Sequence, residues 1–200
     1  MRRRSLVLLL AGCASILPRG LRAEKIDVDV GLTLTPVDQG NANLCWLAAA
    51  AMMRSWQEAG ASVSMSQLAT ELGPPFRQIF EEGQANPSTG ALPLSLVNPL
   101  FKKLGLRGTG LQSFKISWWV ERLKTGPVFL AGYATSAVMA HAVVLVGLRG
   151  DTADFPSLEV RIVDPAGAIR RSATLGSVIK FYEGLAGPAT DASAPQILYF

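Results

Sequence analysis

The stretch Gln39-Gly-Asn-Ala-Asn-Leu-Cys45-Trp-Leu-Ala-Ala-Ala-Ala-Met-Met53 decides how the rest of the chain is read. A Gly-Asn turn signal leads to Asn43, a residue suited to capping a helix, and then to a run of helix formers. The run predicts a helix from about Leu44 to Glu58, stopped by Gly60. Ala48, Ala49, Ala50 and Ala51 let other elements approach it closely, while Met52, Met53 and Trp56 mark it as well buried. Cys45 stands at its start, where unpaired N–H groups and partial positive charge favour a thiolate. Position alone leaves two readings open, a buried structural cysteine or a nucleophile.

Outward from that helix, Val28, Val30, Leu32 and Leu34 alternate and predict a strand before Pro36. A short helix is expected from Ser66 to Leu72, with Ser64 or Ser66 as its cap and Gly73-Pro74-Pro75 as its stop. Residues 73 to 93, with four prolines and three glycines, read as a long surface excursion holding one short helix. Leu94 to Leu104 and Ser117 to Leu123 read as helices ending at Gly105 and Gly126. Pro127 to Tyr133, Ala142 to Leu148, Leu158 to Val163 and Gln196 to Phe200 read as strands. Trp118-Trp119 reads as packing beneath the strand at Val128. Helices first and strands later is the α+β pattern.

The 200 residues are 49% apolar and 17% charged, enough for a core and too apolar for a disordered chain. The longest lipophilic run, Leu6 to Ile16, is shorter than the roughly 20 residues of a spanning helix, so a polytopic membrane protein is excluded. The pI near 9.3 suggests nucleic acid until the charge is split. Arg2, Arg3, Arg4, Arg19 and Arg22 account for five of 19 basic residues, leaving 14 against 15 acidic ones from residue 24 onward. The basicity belongs to the leader, and a nucleic-acid partner is not expected.

Met1-Arg-Arg-Arg-Ser5 followed by Leu6 to Leu10 has the pattern of a bacterial export signal, expected to occupy residues 1–23. Leu21-Arg22-Ala23 offers a cleavage site, and Leu10-Ala11-Gly12-Cys13 resembles a lipobox that would anchor the protein through Cys13. Either route places residues 24–200 in the periplasm or outside the cell. On either route Cys13 is removed or carries lipid, which leaves Cys45 as the one free thiol and no intrachain disulfide. A free thiol in an exported protein is either buried and inert or there to react.

His141 is the only histidine, and it opens the apolar run Ala142-Val-Val-Leu-Val146. A thiol nucleophile needs a base and then an acid, and histidine serves both near neutral pH. Asp164 ends the Val160–Val163 run and could accept from the histidine ring, although Asp-Pro also simply starts turns. Asp151 and Asp154 are rivals for that role. Gln39, six positions before Cys45, could donate to an oxyanion beside the Cys45 N–H. One His and one available Cys offer no zinc site, and there is no phosphate loop. No cofactor is expected.

Taken together, Gln39, Cys45-Trp46 and the small-residue helix resemble the oxyanion and nucleophile region of papain-like cysteine peptidases. His141-Ala-Val-Val-Leu-Val-Gly147, with Gly126-Pro127-Val128 ahead of it, resembles their histidine strand. Val163-Asp164-Pro165-Ala-Gly167 resembles the Asp-Pro-x-Gly stretch of the compact bacterial branch, which includes secreted effector proteases and has Asp where papain has Asn. Leu47 departs from the small residue usual after Cys-Trp. The resemblance implies two lobes, one helical with the nucleophile and one an antiparallel sheet, with the site between them. It further implies Cys45 as nucleophile, His141 as acid/base, Asp164 as its orienting partner and Gln39 as an oxyanion donor. The 73–93 excursion could line the cleft.

The expected activity is hydrolysis of peptide bonds in a protein or peptide substrate, by a monomer. The same triad would serve a transglutaminase, deamidase or other acyltransferase, because the acceptor is chosen by cleft shape. A papain-like binding module is the non-enzyme alternative; it predicts a broken triad, and none is visible. Leader-processing peptidases of exporters are similar but are fused to a transporter.

Overall fold

The computed structural model describes residues 23–40, 43–109, 114–133, 140–184 and 196–200; residues 1–22, which hold Cys13 and all but the last residue of the expected leader, lie outside them. The described chain opens with β1 (Lys25–Asp29) and a 3-10 turn (Gly31–Thr33), followed by α1 (Cys45–Gln57), α2 (Met65–Leu72), α3 (Phe76–Ala85) and α4 (Leu94–Leu104). Then come β2 (Arg107–Thr109), α5 (Ile116–Thr125), β3 (Val128–Gly132), β4 (His141–Asp151) and β5 (Glu159–Asp164). β6 (Ile169–Thr174), α6 (Leu175–Glu183) and β7 (Ile197–Tyr199) complete it. The strands form one antiparallel sheet in the order β2-β7-β3-β4-β5-β6, with β1 also on β4. β1 continues the line of β3 along one edge of β4, Asp29 lying opposite Gly147 and Val128 opposite Leu145. This is the expected α+β class, and no helix among the described residues is long and apolar enough to cross a membrane.

β4 shows why the sheet sits at the centre. Ala142 to Leu148 are all buried, as expected of a strand covered on both faces. Ala142, Val144 and Val146 join α1, α2 and α4 in one apolar cluster; Val143 and Leu145 join α5 and α6 in another. A bulge between Leu145 and Gly147 shifts the alternation, which is how Leu148 reaches the second cluster. The fully buried Ala48–Ala51 run lets α1 lie close against β4, as its small side chains suggested. Trp119 packs with Val128 in the second cluster, also as expected.

Several elements differ from the sequence reading. The first strand is Lys25–Asp29 rather than Val28 to Leu34, because Asp29 turns the chain by accepting from the Gly31 N–H at 2.8 Å. Leu32 is left 91% exposed. Asn43 does not cap α1. Leu44 holds the cap position without a side-chain bond, and Asn43 Nδ2 donates instead to the Ser88 carbonyl at 3.2 Å. Ser64 caps α2 in a reciprocal box with Gln67. The 73–93 excursion is more helical than expected, since α3 occupies ten of its residues. β2, β6 and α6 were not foreseen.

Candidate active site

Three structural ends meet at one place. Cys45 is the first residue of α1, His141 the first of β4 and Asp164 the last of β5. Val144 pairs with Val163, so the next residues along, Val143 and Asp164, fall opposite one another. His141, two residues from Val143, then shares a face with Asp164 and lies diagonal to it, within side-chain reach. His141 Nε2 is 2.7 Å from Asp164 Oδ1. Cys45, which is partly exposed, hydrogen-bonds to the same imidazole, and Nδ1 is the nitrogen left for it.

The electrostatics follow from those contacts. Burial works against a charged His141, but the Asp164 and Cys45 hydrogen bonds and the charges of both partners outweigh it. The pKa rises from 6.5 to about 9, so the ring is an imidazolium at neutral pH. Burial likewise works against a charged Asp164. The hydrogen bonds from His141 and the Ala166 N–H, the imidazolium charge and Arg171 prevail, lowering its pKa from 3.8 to about 2. Cation and carboxylate stabilise each other in a site that is only partly wet.

Gln39 arrives from the other side. Its N–H donates to the Pro165 carbonyl at 2.9 Å, next to Asp164 in sequence. Asp38 Oδ1 accepts from the Gly40 N–H at 2.9 Å and the Gly167 N–H at 3.2 Å. The 38–40 loop is thereby fastened to the 165–167 turn, holding the glutamine at the same end of the sheet as the three other residues. Both rivals of Asp164 lie elsewhere. Asp151 ends β4 opposite Lys25, roughly 30 Å along the strand from His141 at about 3.3 Å per residue. Asp154 precedes the 3-10 turn Phe155–Ser157 at that same far end.

Two features escaped the sequence reading. Arg171, on β6, places Nε 3.1 Å and Nη2 2.9 Å from Asp164 Oδ2. Its signal was the hairpin itself: once Asp164 pairs with Ile169, a long side chain two residues on can reach back. The second is how the 73–93 segment attaches. Trp46 Nε1 donates to the Gly90 carbonyl at 2.8 Å, Asn43 holds Ser88, and Leu44 packs against Gly83 and Gly90. All three residues flank Cys45, so the segment buttresses the start of α1. A Cβ on Gly90 would lie 2.9 Å from the Gly83 Cα, which explains glycine there.

A family model described as papain-like cysteine protease AvrRpt2 matches residues 25–183. The match runs from the first residue of β1 to the last of α6 and takes in Gln39, Cys45, His141 and Asp164. No curated protein matches the chain.

Proposed function

Because the chain belongs to the papain-like cysteine peptidases, a family of hydrolases acting on protein substrates, we propose that Cys45, His141, Asp164 and Gln39 are the residues with which it cuts peptide bonds. The observation that carries this reading is the His141 ring, bonded to Asp164 through Nε2 and to Cys45 on its other side. The Cys45 sulfur, having passed its proton to His141 Nδ1, attacks the scissile carbonyl carbon. The carbonyl electrons move to oxygen, which the Cys45 N–H at the start of α1 and the Gln39 amide stabilise. His141 returns the proton to the departing amine, and the C–N bond breaks to leave a thioester on Cys45. Water, deprotonated by the now neutral His141, attacks the thioester; the thiol leaves and the acid is released. Asp164 keeps Nε2–H engaged throughout, so Nδ1 is the nitrogen that exchanges protons with sulfur.

An epoxide trap of the kind that alkylates thiol peptidases tests this, applied to residues 24–200 and followed by mass and rate. Stoichiometric labelling at Cys45 that collapses in His141→Ala supports a working pair. Slow labelling, equal in both proteins, contradicts it.

We further read residues 1–23 as an export leader and residues 24–200 as a monomeric peptidase domain working in the periplasm or outside the cell. The basic and apolar order of the leader supports this, as does the start of the family match at Lys25. The mass of the protein recovered from cell fractions checks it. A chain beginning at Glu24, or at a lipid-carrying Cys13 in the membrane fraction, agrees; an intact Met1 chain confined to the cytosol does not.

A further inference from the structure

We propose that Arg171 is a positioning residue of this peptidase, acting on His141 through Asp164. The inference rests on the catalytic reading above, since it concerns how the third residue of that site is held.

The Asp164 carboxylate has two oxygens with about four acceptor sites between them, and four donors meet it. Oδ1 takes His141 Nε2 at 2.7 Å and the Ala166 N–H at 3.0 Å. Oδ2 takes Arg171 Nε at 3.1 Å and Nη2 at 2.9 Å. Rotation about the terminal bond of an aspartate is soft, so a carboxylate held at one oxygen alone can swing. Asp164 is the last residue of β5, where the ladder gives way to a turn with Gly167 and Ala168 at positive φ. The guanidinium supplies the second fixed point. Its backbone is itself fixed, because Arg171 pairs with Ile162 in the middle of the β5–β6 ladder.

The role is geometric more than electrostatic. A guanidinium so close to an imidazolium opposes the charge on His141, so it cannot be there to raise that ring's proton affinity directly. What its charge does is hold the carboxylate from the side opposite the imidazolium, so that Asp164 lies between two cations, His141 on Oδ1 and Arg171 on Oδ2. Without Arg171, Asp164 Oδ2 has no donor among the described residues.

The prediction has two independent readouts. In steady-state peptide hydrolysis, Arg171→Ala lowers kcat about tenfold, the loss expected when one charge-assisted contact no longer fixes its acceptor, with KM changed less than about twofold. Arg171→Lys, which keeps the charge but not the two-point grip, recovers only part of the loss. In an Asp164→Ala background, Arg171→Ala brings no further loss, because a residue acting through Asp164 has nothing left to act on. An unchanged kcat in Arg171→Ala, or a second tenfold loss in the Asp164→Ala background, overturns the proposal.

The other readout needs no turnover. As the only histidine, His141 gives a single imidazole N–H signal for the proton on Nε2. Its exchange with water accelerates in Arg171→Ala and, less strongly, in Arg171→Lys. The same exchange rate in the wild type and Arg171→Lys, or in the wild type and a folded Arg171→Ala, overturns the proposal. A wild type whose epoxide labelling ignores His141 would count against the catalytic reading, whereas normal His141-dependent labelling beside an unaltered N–H in Arg171→Ala would count against the role of Arg171 alone.

Discussion

Replacing Asp164 with asparagine preserves the shape of the side chain and one oxygen able to accept from His141 Nε2, but removes the charge. That charge and its hydrogen bond share with Cys45 the work of raising the His141 pKa from 6.5 to about 9. A rise of that size corresponds to on the order of 3 kcal/mol of preference for the imidazolium, and solvent screening of a side chain that is 26% exposed reduces it. If Asp164 supplies about half, Asp164→Asn brings the His141 pKa down by roughly one pH unit and costs about tenfold in kcat/KM. The assay is peptide hydrolysis across pH. The wild-type rate falls on the alkaline side as His141 loses its proton near 9, and in Asp164→Asn that limb moves toward 8. Stability follows the same groups. The raised His141 pKa contributes stability below 6.5 that is lost as pH rises through about 9. The lowered Asp164 pKa contributes stability above 3.8 that is lost as pH falls through about 2. Asp164→Asn is therefore most destabilised, relative to the wild type, between about 4 and 6.5. An alkaline limb that stays at 9 in the variant, with the rate unchanged, would refute the reasoning.

Other perturbations separate the parts of the site. Gln39→Ala removes one oxyanion donor and lowers kcat on the order of 100-fold, while epoxide labelling of Cys45, which forms no oxyanion on a carbonyl, changes little; equal losses in both assays would place Gln39 elsewhere in the mechanism. Trp46→Phe removes the donor to the Gly90 carbonyl, a bond of 2.8 Å. Thermal or denaturant unfolding should show a loss of about 1–3 kcal/mol, and an unchanged midpoint would mean that water replaces the indole. Gly132 pairs with His141, and a Cβ there would lie 2.4 Å from the Phe181 carbonyl oxygen. Gly132→Ala should cost about 1–3 kcal/mol in stability and slow catalysis by moving the start of β4; full stability and activity would show that Phe181 yields freely.

The parts of the fold that were legible in the sequence are those with a strong local pattern. The alanine and methionine run gave α1, and the unbroken apolar run after His141 gave a strand buried on both faces. Glycines marked the ends of α4 and α5. β6 carried no such signal: Ile169, Arg170, Arg171 and Ser172 are all exposed, and the strand exists because it pairs with β5 at the sheet edge. α6 follows directly, capped by Thr174, and Gly184 marks its end much as glycines mark those of α4 and α5, but its short run straight after an edge strand is not read as a helix from the sequence. Asn43 has the chemistry of a cap, yet tertiary contact claims its amide for Ser88. In the site, Cys45, His141 and Asp164 were legible as residue types at the ends of recognisable elements. Arg171 was not, because its meaning depends on the register of a hairpin. The residues alone left Asp151 and Asp154 as rivals and only the Asp-Pro-x-Gly resemblance favoured Asp164; the length of β4 separates them physically, putting Asp164 at the histidine end and Asp151 far from it.

The central claim is that His141 is an imidazolium held between Cys45 and Asp164, and proton NMR titration of the single histidine tests it most directly. The account predicts a midpoint near 9 in the intact protein, falling toward 6.5 in Cys45→Ala as the hydrogen bond and electrostatic interaction with Cys45 are removed. A midpoint close to 6.5 in both proteins would contradict it, leaving His141 and Cys45 as neighbours without a shared proton.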